Sequence, residues 1–202
     1  MIKKSTRRRT TLRALYRTVL SVAVATFVCI SPIESKTVKM PAHFQSYSMT
    51  DIGNKLRCIV GNTTQEGLNG RAFVYLIDLT THEIRWVTKI PLRPNDYQNR
   101  ATHCLAGDKK VYALIQTDTS SFQATSQTFV DVVTLDEATG QIESTENVIA
   151  KEAGRRPSTW VDGGPENFRR ENGKIVVTGQ YFNLDNPEVR KPFTASPAPA
   201  TP

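Results

Sequence analysis

Beyond residue 36, apolar side chains recur at every second position in short runs, and almost no stretch shows the three-to-four spacing of an amphipathic helix. Phe73-Val74-Tyr75-Leu76-Ile77-Asp78-Leu79 alternates plainly. Runs rich in β-branched and aromatic residues predict strands over 56–60, 71–79, 83–90, 110–117, 128–135, 141–148 and 174–182. Turn residues separate them: Thr80-Thr81-His82, Gly107-Asp108-Lys109, Ala138-Thr139-Gly140 and Asn172-Gly173. Asn-Gly favours the primed turns that match the twist of a hairpin. One short helix is expected within 148–156. The Pro/Ala/Thr-rich end, 191–202, reads as a disordered tail.

The same pattern repeats along the chain. Cys58-Ile59-Val60-Gly61 and Cys104-Leu105-Ala106-Gly107 share cysteine, aliphatic, small apolar and glycine in that order. A related hairpin follows each, Leu79 to Ile84 and then Leu135 to Ile142. Glu171-Asn172-Gly173-Lys174-Ile175 echoes Gly107-Asp108-Lys109-Lys110-Val111 as a third partial copy. Short-strand repeats of this length mark propeller blades. Over about 54–182 the chain resembles β-propeller proteins, which implies an all-β fold of antiparallel sheets in a small or incomplete propeller-like arrangement. Residues 36–190 suffice for three full blades or four thin ones at ~40–45 residues each. An incomplete assembly, or two chains completing one ring, fits as well as a closed monomer. A β-sandwich is the alternative.

Charge divides the chain unevenly. The 26 basic and 19 acidic residues give a net charge of +7. Seven of the basic residues (Lys3, Lys4, Arg7, Arg8, Arg9, Arg13, Arg17) but only one acid, Glu34, lie within 1–35. The rest of the chain is therefore close to neutral and lacks a basic footprint for nucleic acid. The basic segment precedes an uncharged run over 18–30, the length of a signal-peptide core and well short of the ~20 residues of a membrane span. Residues 1–35 are accordingly expected to be a signal peptide, with cleavage near Ser35 and periplasmic or secreted localisation. No stable membrane insertion is expected. Arg8-Arg9-Thr10-Thr11-Leu12 faintly resembles a twin-arginine export signal.

Cleavage would remove Cys29 and leave Cys58 and Cys104. In an oxidising compartment these could pair across a long loop. Equivalent positions on successive blades would point in similar directions, and a bridge needs Cα atoms within about 7 Å. Bridged cysteines and two separate buried thiols both remain open at this stage.

Catalytic signatures are sparse. His43, His82 and His103 show no zinc-protease spacing, and there is no Cys-x-x-Cys, nucleophile elbow or phosphate loop, so no metal or cofactor is expected. His103 and Cys104 are neighbours on a strand and should point to opposite faces. Three long loops draw more interest. Residues 91–102 carry Arg93, Tyr97 and Arg100, and 117–127 carry Phe122. Residues 154–170 carry Arg155, Arg156, Trp160, Asp162, Phe168, Arg169 and Arg170. Trp, Tyr and Arg are enriched at interface hot spots. Arg155, Arg156, Trp160, Asp162, Arg169, Arg93 and Tyr97 form the expected partner-binding set. The turn Asp162-Gly163-Gly164-Pro165 is expected to project Trp160 away from the sheet. The competing reading has Trp160 and Phe168 anchoring the loop to the core.

The expectation is an exported, non-enzymatic binding or inhibitory protein with a protein partner. Its general form resembles periplasmic immunity proteins, some of which are small propeller-like β proteins that block a cell-wall-degrading enzyme's cleft with a loop. The alternatives are a structural or assembly component of an envelope complex, and a propeller-type hydrolase or lyase. The oligomeric state is not legible.

Overall fold

The computed structural model describes residues 38–65, 68–122 and 126–199. Its strands are β1 (Phe44–Gly53), β2 (Leu56–Gln65), β3 (Leu68–Asp78), β4 (Ile84–Lys89), β5 (Gln98–Gly107), β6 (Lys110–Asp118) and β7 (Thr128–Asp136), followed by β8 (Ile142–Val148), β9 (Pro157–Trp160), β10 (Phe168–Glu171), β11 (Lys174–Asn183), β12 (Asn186–Ala195) and β13 (Ala198–Pro199). Two single 3₁₀ turns, Lys151–Ala153 and Pro165–Asn167, are the only helical elements among the described residues. The protein is all-β, and every strand pairing is antiparallel. Three open sheets result: β1-β2-β3-β4, β13-β8-β7-β6-β5, and a third centred on β11. In the third, β12 pairs along one edge of β11, while β10 and β9 pair with successive halves of the other. None of the sheets closes on itself, which suits an incomplete propeller and a sandwich-like stack equally.

The repeats have a local cause. Asn54-Lys55, Asp108-Lys109 and Asn172-Gly173 all have positive φ, between 49° and 78°. They close two-residue hairpins at Gly53↔Leu56, Gly107↔Lys110 and Glu171↔Lys174. Positive φ at both positions is what a type I′ turn requires. The longer hairpins also match. Asp78 Oδ1 accepts from the Thr80 N–H at 2.8 Å and Asp136 Oδ1 from the Thr139 N–H at 2.8 Å. The N–H groups of His82 and Gly140, both at positive φ, then bond back to the carbonyls of Asp78 and Asp136.

Two cores lie on opposite faces of the middle sheet. One packs Cys58, Val60, Leu76 and Trp86 of the first sheet against Cys104, Val111, Ala113, Ile115 and Val133. The other packs Leu114, Val130 and Val132 against Phe168, Val177, Tyr181 and Phe193 of the third. The middle sheet is thus buried on both faces, which explains the unbroken apolar run 111–115. Cross-links between the first two sheets are specific. The Trp86 indole donates to the Glu137 carbonyl at 2.9 Å. Buried Asn99 accepts from the Ala72 N–H at 2.7 Å. Cys58 and Cys104 meet inside the first core at disulfide distance, with Cα atoms 6.5 Å apart.

The expected disordered tail needs correcting, and so does a domain edge at residue 190. β12 continues through Ala195 because Phe193 is buried in the second core, and Ala198–Pro199 then pairs with Asn147 and Glu146 of β8. Composition reported the prolines but not that anchor. The short helix expected over 148–156 is only the 3₁₀ turn Lys151–Ala153. The segment read as a signal peptide, together with Cys29, lies outside the described residues. Among those described, no helix is long and apolar enough to cross a membrane.

Candidate binding cleft

A bulge shapes a cleft walled by aromatic side chains. Ala101 and His103 on β5 face successive residues of β6, Ile115 and Leu114, and Thr102 between them is unpaired. The extra residue resets the alternation, so Ala101 and Cys104 face the first core while His103 packs edge-on to Phe168, ring centroids 6.3 Å apart. His103 and Cys104 therefore point apart, as expected, and form no thiol–imidazole pair. The His103 Nδ1 lies 3.0 Å from Thr102 Oγ1, and its Nε2 is buried without a hydrogen-bond partner. Burial pushes this imidazole below its ordinary pKa, against the backbone of Gly164 and Asp162.

Beside the bulge, the ends of β5 and β6, the strand β9 and the segment after it enclose a cleft of about 630 Å³. Tyr47, Tyr97, Trp160 and Phe182 supply aromatic walls, and the floor is polar: Thr102, Gln116, Ser120, Ser126, Thr128 and Ser158. Tyr47 is 51% exposed on the edge strand β1. Trp160 is half-buried, with its ring 5.7 Å from Phe182 and the Arg190 guanidinium 5.4 Å above it.

The floor is held by two polar clamps. Buried Gln116 donates from Nε2 to the Val161 carbonyl at 2.8 Å and accepts from the Val161 N–H at 3.2 Å. This side chain substitutes for a strand partner at the end of β9. Gln116→Leu leaves both Val161 groups unpaired and is expected to cost about 2–3 kcal/mol, a Tm fall of roughly 5–10 °C by calorimetry. The second clamp is Asp118, which accepts from Gln98 at 2.8 Å, Arg100 at 2.6 Å and Thr128 at 2.7 Å. Burial works to raise its pKa, but the Arg100 charge and these hydrogen bonds outweigh it and hold the carboxyl below the ordinary value of 3.8. A depressed native pKa stabilises the fold above the unfolded value and loses that contribution as pH falls through the native one. The stability gap between the parent and Asp118→Asn, followed by denaturant melts, should therefore be constant above about pH 5 and shrink below pH 3.8.

Of the residues singled out in the sequence, Trp160, Asp162 and Tyr97 come together in this cleft. The remaining four do not line it. Arg93 lies over the Phe129 ring at 5.2 Å and pairs with Asp96 at 2.8 Å. Arg156 pairs with Asp185 at 2.9 Å, and Arg155 is exposed. Arg169 is tied to Glu171 at 2.6 Å and to Thr178 at 2.9 Å, in the adjoining hollow beside His103. Trp160 is not lifted off the sheet, because β9 pairs it with Gln180. The bend at Gly164 (φ 125°) instead loops 162–167 outward, pinned by Asn167 Nδ2 donating to the Asp162 carbonyl at 3.1 Å. Phe168 is a core residue. Sequence reasoning passed over Tyr47, Gln116, Asp118 and Phe182, which sit in strands far apart in the chain. Arg100, expected on the 91–102 loop, lies instead on β5, where it pairs with Asp118.

Among the described residues no group of three His, Cys, Asp or Glu side chains is placed to hold a metal. No protein-family model matches the chain, and no curated protein matches it, so the cleft has to be read from its own chemistry.

Proposed function

We propose that this is an exported, non-enzymatic binding protein that takes a projecting segment of a partner protein into the Trp160 cleft, acting as an inhibitor of that partner. The observation that carries the reading is the cleft itself, in which four aromatic side chains stand around a floor of hydroxyls and amides. Aromatic walls offer large contact area at low entropic cost, and the floor offers hydrogen bonds to peptide groups. A periplasmic setting, and a partner that degrades cell wall as in the immunity proteins the chain resembles, are part of the proposal. The N-terminal charge pattern and the Cys58–Cys104 pair support the compartment.

The test is affinity capture from the native envelope fraction, followed by calorimetric titration of the captured protein against the parent, Trp160→Ala and Tyr97→Ala. Binding that saturates at one site and weakens in both variants supports the cleft. Equal affinity for all three proteins removes it.

A second reading, an assembly component using sheet edges, is favoured by β12. Its residues 186–192 are all exposed, and it forms the outer edge of the third sheet. Capture that survives both cleft variants but is lost with a proline inside that edge would support this reading instead.

A further inference from the structure

A second cavity, of about 500 Å³, lies under the 91–94 segment and shares no lining residue with the Trp160 cleft. Ile90, Leu92, Ile115, Val133 and Ile142 make its walls apolar. Into it faces Asp131 on β7, a carboxylate only 6% exposed. Strand alternation places Asp131 on the same face of the middle sheet as Phe129 and Val133. Its cross-strand neighbours are Ile115 on one side and Asn147 on the other, and Thr145 stands opposite Val133 and Thr117 opposite Phe129.

Nothing in the described structure satisfies this carboxylate. No hydrogen bond joins the side chains of Asp131, Thr117, Thr145 or Asn147 to any other described residue. The nearest cation is already committed: Arg93 pairs with Asp96 at 2.8 Å and lies over Phe129. Counting Arg93, Asp96 and Asp131 together, the mouth of the cavity is left with one uncompensated negative charge. Burial pushes the Asp131 carboxyl above its ordinary pKa, with Arg93 opposing and Asp96 adding to the rise. An unpaired buried charge is costly to the fold, and its natural counterpart is a ligand that brings the opposite one.

We propose that this cavity binds a primary ammonium group on a short aliphatic stem, with Asp131 as counter-ion and Asn147, Thr145 and Thr117 as the remaining acceptors. An ammonium has three donors and no acceptor, which matches a carboxylate surrounded by an amide oxygen and hydroxyls. The apolar walls take the stem, as lysine stems are taken along apolar surface elsewhere. A lysine side chain of a partner and a free alkylamine share this chemistry.

The probe is n-pentylamine, followed by NMR on the methyl groups of Ile115, Val133 and Ile142 in the whole protein, with n-pentanol as the neutral control. Saturable shifts at these methyls with pentylamine, and none with pentanol, are expected. Asp131→Asn should weaken binding by about tenfold or more, since it removes a hydrogen-bonded charge. The amide carries no charge into the cavity, so this variant should melt no lower than the parent. Leu92→Trp, which fills the cavity from the loop side, should abolish binding independently. Absence of saturable shifts in the parent, equal binding by pentanol, or full affinity in Asp131→Asn or Leu92→Trp would each overturn the site. N-acetyl-lysine-N-methylamide separates the two sources. Binding alongside pentylamine marks the site as open to a partner's lysine, and exclusion marks it as a pocket for free amines.

Discussion

Replacing Cys58 and Cys104 together by alanine is expected to destabilise the protein by about 2–4 kcal/mol and lower its Tm by roughly 5–15 °C. The two cysteines stand 46 residues apart in sequence, β2 in the first sheet and β5 in the second. Bridging them closes a long loop in the unfolded chain, which is where most of the stabilisation arises in the chain-entropy account. The bridge also ties the edge of the second sheet to the interior of the first, alongside Asn99 and the Trp86–Glu137 hydrogen bond. Reductant should reproduce the effect in the parent and have none in the double variant. Thiol titration of the oxidised, denatured mature protein should find no free thiol. Two thiols per chain, or a Tm unmoved by reductant, would show that the pair is packed but not bonded.

Trp160→Ala should have its larger effect on binding. An aromatic anchor seated in a partner's pocket is typically worth ~2 kcal/mol or more, so affinity for the captured partner should fall at least about thirtyfold. The effect on folding should be smaller, about 1–2 kcal/mol. The indole is half-buried and lies against Phe182 and Arg190 outside both cores, and the β9 backbone pairing with β11 does not depend on it. Tm and affinity measured on the same variant separate the two roles. A Tm fall of about 10 °C or more with unchanged affinity would make Trp160 a packing residue and move the site elsewhere. The arginines expected to act beside it are engaged differently. Arg156 and Arg169 are held in ion pairs and Arg155 lies away from the cleft; Arg190 is the cation over Trp160, and Arg100 lines the same cleft held by Asp118.

The strand pattern was legible because it is local. Each of the seven runs expected to be strands falls on one, and five match to within a residue at each end, since alternation and turn chemistry act over a few positions; β2 runs five residues further and β3 begins three earlier. The repeated Asp-led hairpins at 78–83 and 136–141 were readable for the same reason. They build the same hydrogen bonds twice. β1, β9 and β12 left weaker signals: β1 and β12 are exposed edges with little apolar alternation, and β9 is four residues long. Their pairing is decided by the strands they lie against. Sequence likewise picked out Trp160, Tyr97 and Asp162 by residue type. It could not join them to Tyr47, Gln116, Asp118 and Phe182, because only the stacking of three sheets brings β1, β6, β9 and β11 to one place. Asp131 is the sharpest case. Nothing local in the run 128–135 marks what surrounds this lone carboxylate. Because the middle sheet is covered on both faces, the carboxylate opens into an apolar cavity. Local pattern determined which residues are strands and where they turn; sheet stacking alone decided which face each residue shows and which distant side chains share a site.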